Sequence, residues 1–297
     1  MTFRLGIDLG GSKTEVVVLD AGNQPIYRRR VVTPAHSYTA ILAMIEQLVQ
    51  AAEEELAVSA SIGIGTPGAI SARTGLMRNS NTQCINAQPL LQDIEARLGR
   101  PLRIQNDANC FALSEAHSGA GVGHALVFGV IIGTGTGAGL VVDGQLLQGR
   151  HAIAGEWGHN PLPWLRAEDG GQPCYCGKNA CIETFLCGPG LARNYLATYA
   201  SSLDSASIVA AAATGEASCV EMMALYFDQM ARALAHVINI VDPDAIVLGG
   251  GMSNIDAIYQ QIPQRLPAYV FSDYVETPIL PALHGDASGV FGAAMLW

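Results

Sequence analysis

At 297 residues, with 49% hydrophobic and 14% charged side chains, the chain carries apolar material for about two folded domains. Its 16 basic against 26 acidic residues leave a net charge of -10, which argues against a broad basic face for nucleic acid or an anionic membrane and confines any phosphate binding to local sites. Met1 to Leu9 lacks the charged n-region and apolar h-region of a signal peptide, and no apolar run reaches the ~20 residues of a spanning helix, so a cytoplasmic protein without a membrane partner is expected.

Leu5 to Asp20 (LGIDLGGSKTEVVVLD) sets an apolar run, a glycine-rich turn and an alternating run in order, the pattern of a β-hairpin. The turn, Gly10, Gly11, Ser12 and Lys13, exposes backbone N–H groups and lets them approach a polyanion closely, because glycine has no Cβ. Asp8 ends the first strand directly before the glycines. A carboxylate there can hold Mg2+, which uses one or two protein carboxylates plus substrate phosphates; the plainer reading is an Asx bond capping its own turn. Gly10 to Lys13 also resembles the end of a Walker A loop, but Gly6 lies within a strand and no helix follows Lys13.

Gln24 to Thr33 continues as a third strand, and Thr39 to Leu56 has the three-and-four spacing of an amphipathic helix. Ser61 to Gly65 and Leu102 to Gln105 read as further strands of an α/β sheet. Asp107 follows the latter and opens a helix through Ala112, Leu113 and Ala116. That strand-to-helix turn suits a general base facing a cleft, or simply a helix N-cap. The lobes are expected to join near Ala116 to Gly123. Phe128 to Gly144 then repeats the hairpin pattern, with strands at Leu126 to Ile132 and Leu140 to Val142 around Gly133, Thr134 and Gly135. Gly133 to Ala138 fits the dinucleotide fingerprint G-x-G-x-x-A, yet the β-branched run and Asp-Gly that follow cannot open the helix it requires. Two such turns in separate halves indicate a duplicated fold gripping one phosphate chain from both sides. Met222, Met223, Tyr226, Met230, Leu234, Val237, Ile238 and Val241 form a core-facing helical stripe ended by Pro243. Ala245 to Leu248 is a buried strand entering Gly249, Gly250 and Gly251, with Ser253 and Asn254 placed to cap the next helix, and Ser288 to Leu296 is a last apolar helix.

Seven cysteines in a chain read as reduced point to metal or catalytic clusters before disulfides. Cys174, Cys176 and Cys181 have the spacing C-x-C-x4-C, and His159 lies upstream. Three thiolates and an imidazole complete a tetrahedral structural Zn2+ site, whereas reduced loop cysteines are the bland alternative. Cys84, Cys110, Cys187 and Cys219 have no such spacing.

On these blocks the chain resembles a ROK-family sugar kinase, a branch of the actin-like ATPase superfamily: Asp8-Leu9-Gly10-Gly11-Ser12-Lys13, Gln105-Asn106-Asp107-Ala108-Asn109, Gly133 to Gly137, Gly155-Glu156-Trp157-Gly158-His159, Cys174 to Gly177 with Cys181-Ile182-Glu183, and Gly249-Gly250-Gly251. They run in family order over nearly the whole length. Ser12 stands where the family usually has threonine, and Ala138 where many members have glycine. The Ala154 to Trp164 and Cys174 to Phe185 segments are most similar to bacterial fructokinases, including mannofructokinases, with N-acetylglucosamine kinases next.

The resemblance implies an α/β, two-lobed actin-like ATPase (duplicated ribonuclease H-like) fold with a cleft between lobes. Residues 1–116 would form the N-terminal lobe, with 288–297 packing back on it, and 117–287 the C-terminal lobe with the zinc loop. It implies ATP and Mg2+ as cofactors and a small-molecule sugar as partner, with no nucleic acid; a homodimer and a monomer both remain open. Asp107 would be the base; Asp8, Gly10, Gly11, Ser12, Lys13, Gly133, Thr134, Gly135 and Gly249 to Gly251 would bind nucleotide. Thr66, Pro67, Gly68, Asn81, Asn106, Asp107, Glu156, His159 and Glu183 would surround the sugar; Asn79 and Asn86 fit the Asn81 turn equally well. His159 would serve both zinc and a sugar hydroxyl, and the zinc would fix Glu156 and Glu183, which flank ligands. Fructose O6 is the first expected acceptor, then mannose or glucose, then N-acetylglucosamine. Repressors of the family carry an N-terminal helix-turn-helix, for which a first strand at Phe3 leaves no room, so a non-catalytic sugar sensor is the rival from another class.

Overall fold

Alternation in the first hairpin becomes two buried faces. β1 (Phe3–Leu9) pairs antiparallel with β2 (Lys13–Leu19), and β2 with β3 (Pro25–Val32). Val16 and Val18 join the core under α1 (Tyr38–Leu56), while Val17 and Leu19 join a second core on the opposite side. The computed structural model describes residues 3–297, apart from the side chain of Asp286; Met1 and Thr2 of the expected first lobe lie outside it. β4 (Ala60–Thr66) adds parallel to β1; the small pair β5 (Ala69–Ile70) and β6 (Met77–Arg78) and helix α2 (Leu90–Leu98) precede β7 (Arg103–Asn106), which adds parallel to β4. The sheet order is β3-β2-β1-β4-β7.

α3 (Asp107–Ser118) leads to β8 (Leu126–Ile132), β9 (Thr136–Val142) and β10 (Gln145–Leu146). After the loop region come α4 (Glu183–Leu186), α5 (Gly188–Tyr199), α6 (Ser205–Ala213), α7 (Ala217–Val241), β11 (Ala245–Gly249), α8 (Ile258–Arg265), β12 (Ile279–Pro281) and α9 (Ser288–Ala294). The second sheet runs β10-β9-β8-β11-β12 with the same sequence of two antiparallel pairs and then two parallel pairs as the first. This is the duplicated two-lobed α/β architecture of the actin-like ATPases, with both hairpin turns at the ends of equivalent strands.

Between the sheets lie α9, against β1 and β4, and α3, against β8 and β9; the two helices also meet each other. Bare backbone permits the closeness. A Cβ on Gly63 would stand 1.8 Å from the Ala293 carbonyl oxygen, and one on Gly292 would stand 1.7 Å from that of Cys110. Glu115 of α3, fully buried, accepts from the N–H groups of Ala120 (3.0 Å) and Leu283 (3.0 Å) and from the Ser288 hydroxyl (2.7 Å), tying together the two segments where the chain crosses between sheets. Among the described residues no single helix is long and apolar enough to cross a membrane; α6 and α7 reach the length together but are bent by 110°.

Two local readings need correction. β9 starts at Thr136, not Leu140, because the turn closes within Gly133 to Gly135, where Gly133 N–H donates to the Gly135 carbonyl. Ser253 and Asn254 cap no helix: α8 begins at Ile258, and the Ser253 hydroxyl donates to the Gly250 carbonyl at 2.7 Å within a short 3-10 turn.

Candidate active site

Both glycine turns are followed by strands, which disposes of the Rossmann and Walker readings. In the first turn, Gly10 N–H donates to the Lys13 carbonyl (3.1 Å), and Ser12 and Lys13 are exposed. Thr33, from the end of β3, braces the turn. Its hydroxyl donates to the Gly10 carbonyl and pairs with the Thr14 hydroxyl, each at 2.8 Å, and its N–H donates to the Ser12 carbonyl. Sequence reading missed Thr33, since it lies a whole strand away from the turn it supports.

The second turn is held from α5, whose first residue, Gly188, donates its N–H to the Gly133 carbonyl at 2.9 Å. An N-terminal helix end directed at this turn favours a bound anion. Gly250 abuts the same place with φ +83°, and a Cβ there would lie 2.5 Å from the Ile132 carbonyl oxygen, so only glycine lets the end of β11 lie against β8. The structure thus gathers Gly133, Thr134, Gly135 and Gly249 to Gly251 in one lobe, and Asp8 with Gly10 to Lys13 in the other.

Asp8 lies in register beside Glu15, which lies beside Arg30, across three strands. Glu15 is buried and ion-paired to Arg28 and Arg30. Burial, reinforced by the charges of Asp107 and Glu15, pushes the Asp8 carboxyl up to about 6, with Arg30 opposing. Asp107 sits at the first position of α3. The N-cap role belongs to Asn106, whose side chain accepts from Asn109 N–H at 2.8 Å, so Asp107 is free of that duty. The Ala108 N–H donates to Asp107 Oδ1 at 2.8 Å and orients the carboxylate. Crowding by protein raises its pKa above the usual carboxylate range, the backbone N–H groups of Ala108 and Asp107 opposing and the charge of Glu156 adding. The residue is nonetheless exposed to solvent.

A cavity of about 210 Å3 borders Asn106 and Glu156. Its other walls are small or apolar (Ala69, Ile70, Ala152, Ala154) or amides (Gln105, Gln148). Asn109 also lines it, with a buried Oδ1 that has no partner. Of these further wall residues, Gln105 and Asn109 lie in the Gln105 to Asn109 block and Ala154 opens the Ala154 to Trp164 segment; the others belong to no motif. Thr66 is buried and donates its hydroxyl to the Pro67 carbonyl at 3.3 Å. Gly68, at φ +83°, lies against the backbone of Arg78 to Ser80 and so supports the neighbouring loop. In that loop Asn86 is fully engaged with the backbone of Ser80, while Asn81 stands beside Gly11 of the first turn rather than on the cavity wall.

His159, Cys174, Cys176 and Cys181 place one ligand atom each within 4.8 Å of one another. The Cys176 and Cys181 sulfurs are 3.6 Å apart, and Cys174 Sγ is 3.6 Å from His159 Nδ1, near the about 3.8 Å edge of a tetrahedron with metal–sulfur bonds of about 2.3 Å. Burial and the neighbouring thiols push Cys181 up to about 12, while the Lys178 N–H pulls Cys176 down. A divalent cation is the charge that would let all three ionise together. The preceding loop is anchored on α7 by a buried ion pair in which Arg232 holds Asp169 (2.9 Å) and also the Trp164 carbonyl (3.0 Å). Downstream, the Thr136 N–H donates to Glu183 Oε2 at 2.9 Å, linking the cysteine loop to the second glycine turn. His159 Nε2, expected free, meets the Tyr175 hydroxyl at 2.9 Å.

A glycine turn in the hairpin of each sheet, a carboxylate beside one of them, a second carboxylate opening α3 and a cavity bordered by Asn106 and Glu156 are the features of a sugar kinase of the actin-like ATPase class. The family model described as "ROK family" matches residues 4–297. The chain belongs to the ROK family, as an ATP-dependent sugar kinase. It is 39% identical over 296 residues to the N-acetyl-D-glucosamine kinase of Pectobacterium atrosepticum, covering 98% of this chain and 97% of that protein. Among solved structures it is similar to the ROK hexokinase of Thermus thermophilus, at TM-score 0.89 and 28% identity over 99% of this chain and 97% of that one. It is also similar to a ROK-family glucokinase of Streptomyces griseus in complex with glucose and AMPPNP, at TM-score 0.76 and 26% identity over 99% and 98% of the two chains.

Proposed function

We propose that the protein transfers the γ-phosphoryl group of ATP to O6 of N-acetyl-D-glucosamine. The observation that carries the substrate is the end-to-end likeness to a kinase of that sugar. The fructose expected first from sequence has no such support. The cavity beside Asn106 and Glu156 favours the same choice: alanines and Ile70 suit an acetamido methyl, and Gln105 and Gln148 suit its amide. Fructose has no group that would fill an apolar pouch, and unfilled polar partners weaken binding.

In this reading Asp107 accepts the O6 proton, with a raised pKa that makes it a better base than a free carboxylate. Asn106, Glu156, His159 and Glu183, with the Thr66 to Gly68 loop, orient the sugar, and Asn81 reaches it only from the first-turn side. Gly10 to Lys13 and Gly133 to Gly135 cradle the phosphates, with Gly249 to Gly251 closing the nucleotide site. Asp8 would hold Mg2+, which neutralises charge on the transferring group. His159, Cys174, Cys176 and Cys181 would hold Zn2+ in a closed structural site that stiffens the loop carrying Glu183. We assign residues 1–116 with 288–297, and 117–287, to the two lobes that close over the substrates.

An ADP-release assay with ATP and Mg2+ is expected to give the highest kcat/KM on N-acetylglucosamine, with glucose and mannose lower and fructose lowest. Dominant turnover of fructose would reverse the choice. Removing the bound metal with a chelator is expected to lower Tm and raise the sugar Kd together, by about ten-fold or more. A metal-free enzyme with an unchanged Tm and sugar affinity would show the four ligands to be an ordinary loop cluster.

A further inference from the structure

We propose that the Tyr175 hydroxyl is an internal competitor for the sugar: it occupies His159 Nε2 in the ligand-free enzyme and must leave before a sugar hydroxyl can bind there. This rests on the reading above, in which His159 faces the sugar.

Tyr175 stands between Cys174 and Cys176, so the same turn that gathers the sulfurs aims its ring. The hydroxyl lies 2.9 Å from His159 Nε2, and the two rings meet edge to face, 5.1 Å between centroids at 89°. His159 Nδ1 is turned to Cys174 Sγ, which leaves Nε2 as the ring nitrogen that meets the phenol. A phenol and a sugar hydroxyl each both donate and accept, so they are equivalent hydrogen-bond partners for that nitrogen, and they compete for it.

The ring is nonetheless weakly held. Tyr175 is 79% exposed, and among the described residues its hydroxyl has no other hydrogen bond. An exposed aromatic side chain with one polar contact to a binding residue is therefore poised to swing away without disturbing the core. Affinity for the sugar is then reduced by the fraction of molecules in which Nε2 is already taken. A neutral hydrogen bond of this kind shifts such an equilibrium by a factor of about two to ten.

The test is Tyr175→Phe, which keeps the ring and removes the hydroxyl. Calorimetric titration with N-acetylglucosamine, glucose and mannose is compared with the wild type, alongside steady-state kinetics and metal content. The expected result is a sugar Kd and KM about two- to ten-fold lower in the variant, with kcat, the KM for ATP, Tm and metal per chain the same. A structural role in the cysteine loop would instead move Tm or metal content and leave the sugar Kd equal or higher. Sugar affinity that is equal or weaker in Tyr175→Phe, in an enzyme that turns the sugar over, overturns this inference alone. A wild type that binds none of the three sugars overturns it together with the substrate reading.

Discussion

Asp107→Asn is expected to lower kcat by about three orders of magnitude while the sugar Kd stays within a few-fold, since a positioned general base contributes about 10²–10⁴. The asparagine keeps the shape and can still meet Ala108, but it cannot accept the O6 proton. The wild-type rate should also fall on the acid side. The ionised carboxylate is the active form, and burial together with the charge of Glu156 raises its pKa; as pH falls through that raised value the base is lost. The acid limb therefore lies above the ordinary carboxylate range. Glu156→Gln should move it downward, because a neighbouring negative charge is removed. Measurement of kcat and kcat/KM against pH for the three proteins checks this. An Asp107→Asn enzyme with kcat near the wild type, or a wild-type rate flat down to the range of a free aspartate, would remove Asp107 from the chemistry.

What could be read without coordinates was local in sequence. Each glycine turn lies between two strands that pair with each other, so alternation and glycine spacing specify it within one short hairpin. The three cysteines were legible for the same reason, their spacing lying within one short loop, and His159 joined them as the upstream imidazole that could complete a set of four. Asp107 was visible as an acid at a strand-to-helix turn, but only the structure frees it from capping, by giving that task to Asn106. The rest depends on pairings between distant elements. Thr33 braces Gly10 from across a strand, Glu183 reaches back to Thr136, and the cavity wall joins β5, β7 and the loop around Gln148 to Ala154. No spacing rule reports such contacts. The cavity lining falls in the same class: apart from Gln105, Asn106, Asn109, Ala154 and Glu156, its residues lie outside every motif block.

Asp8→Asn should abolish turnover yet make the ligand-free enzyme more stable at neutral pH. The folded protein holds the Asp8 carboxyl at about 6, above the 3.8 of an unperturbed side chain, so between those values the folded state binds more protons than the unfolded one. Stability therefore falls as pH rises through this window. Above it, the ionised group costs about 2 kcal/mol, one unit being worth 1.36 kcal/mol and water still reaching the carboxylate in part. The cost arises because Asp8 shares its surroundings with Asp107 and Glu15, and Arg30 offsets only part of it. Asparagine carries no charge to desolvate, so the variant should gain a few degrees of Tm at pH 7 to 8, with the gain vanishing near pH 4. Added Mg2+ with ATP should narrow the gap by stabilising the wild type alone, since a cation at Asp8 supplies the compensating charge. Such an exchange of stability for a charged site is expected where a carboxylate is kept for a ligand rather than for the fold. Thermal melts of both proteins from pH 4 to 8, with and without MgATP, decide the matter. A variant that is less stable than the wild type at pH 7, or one that turns over sugar at a comparable rate, would assign Asp8 to the turn's own architecture.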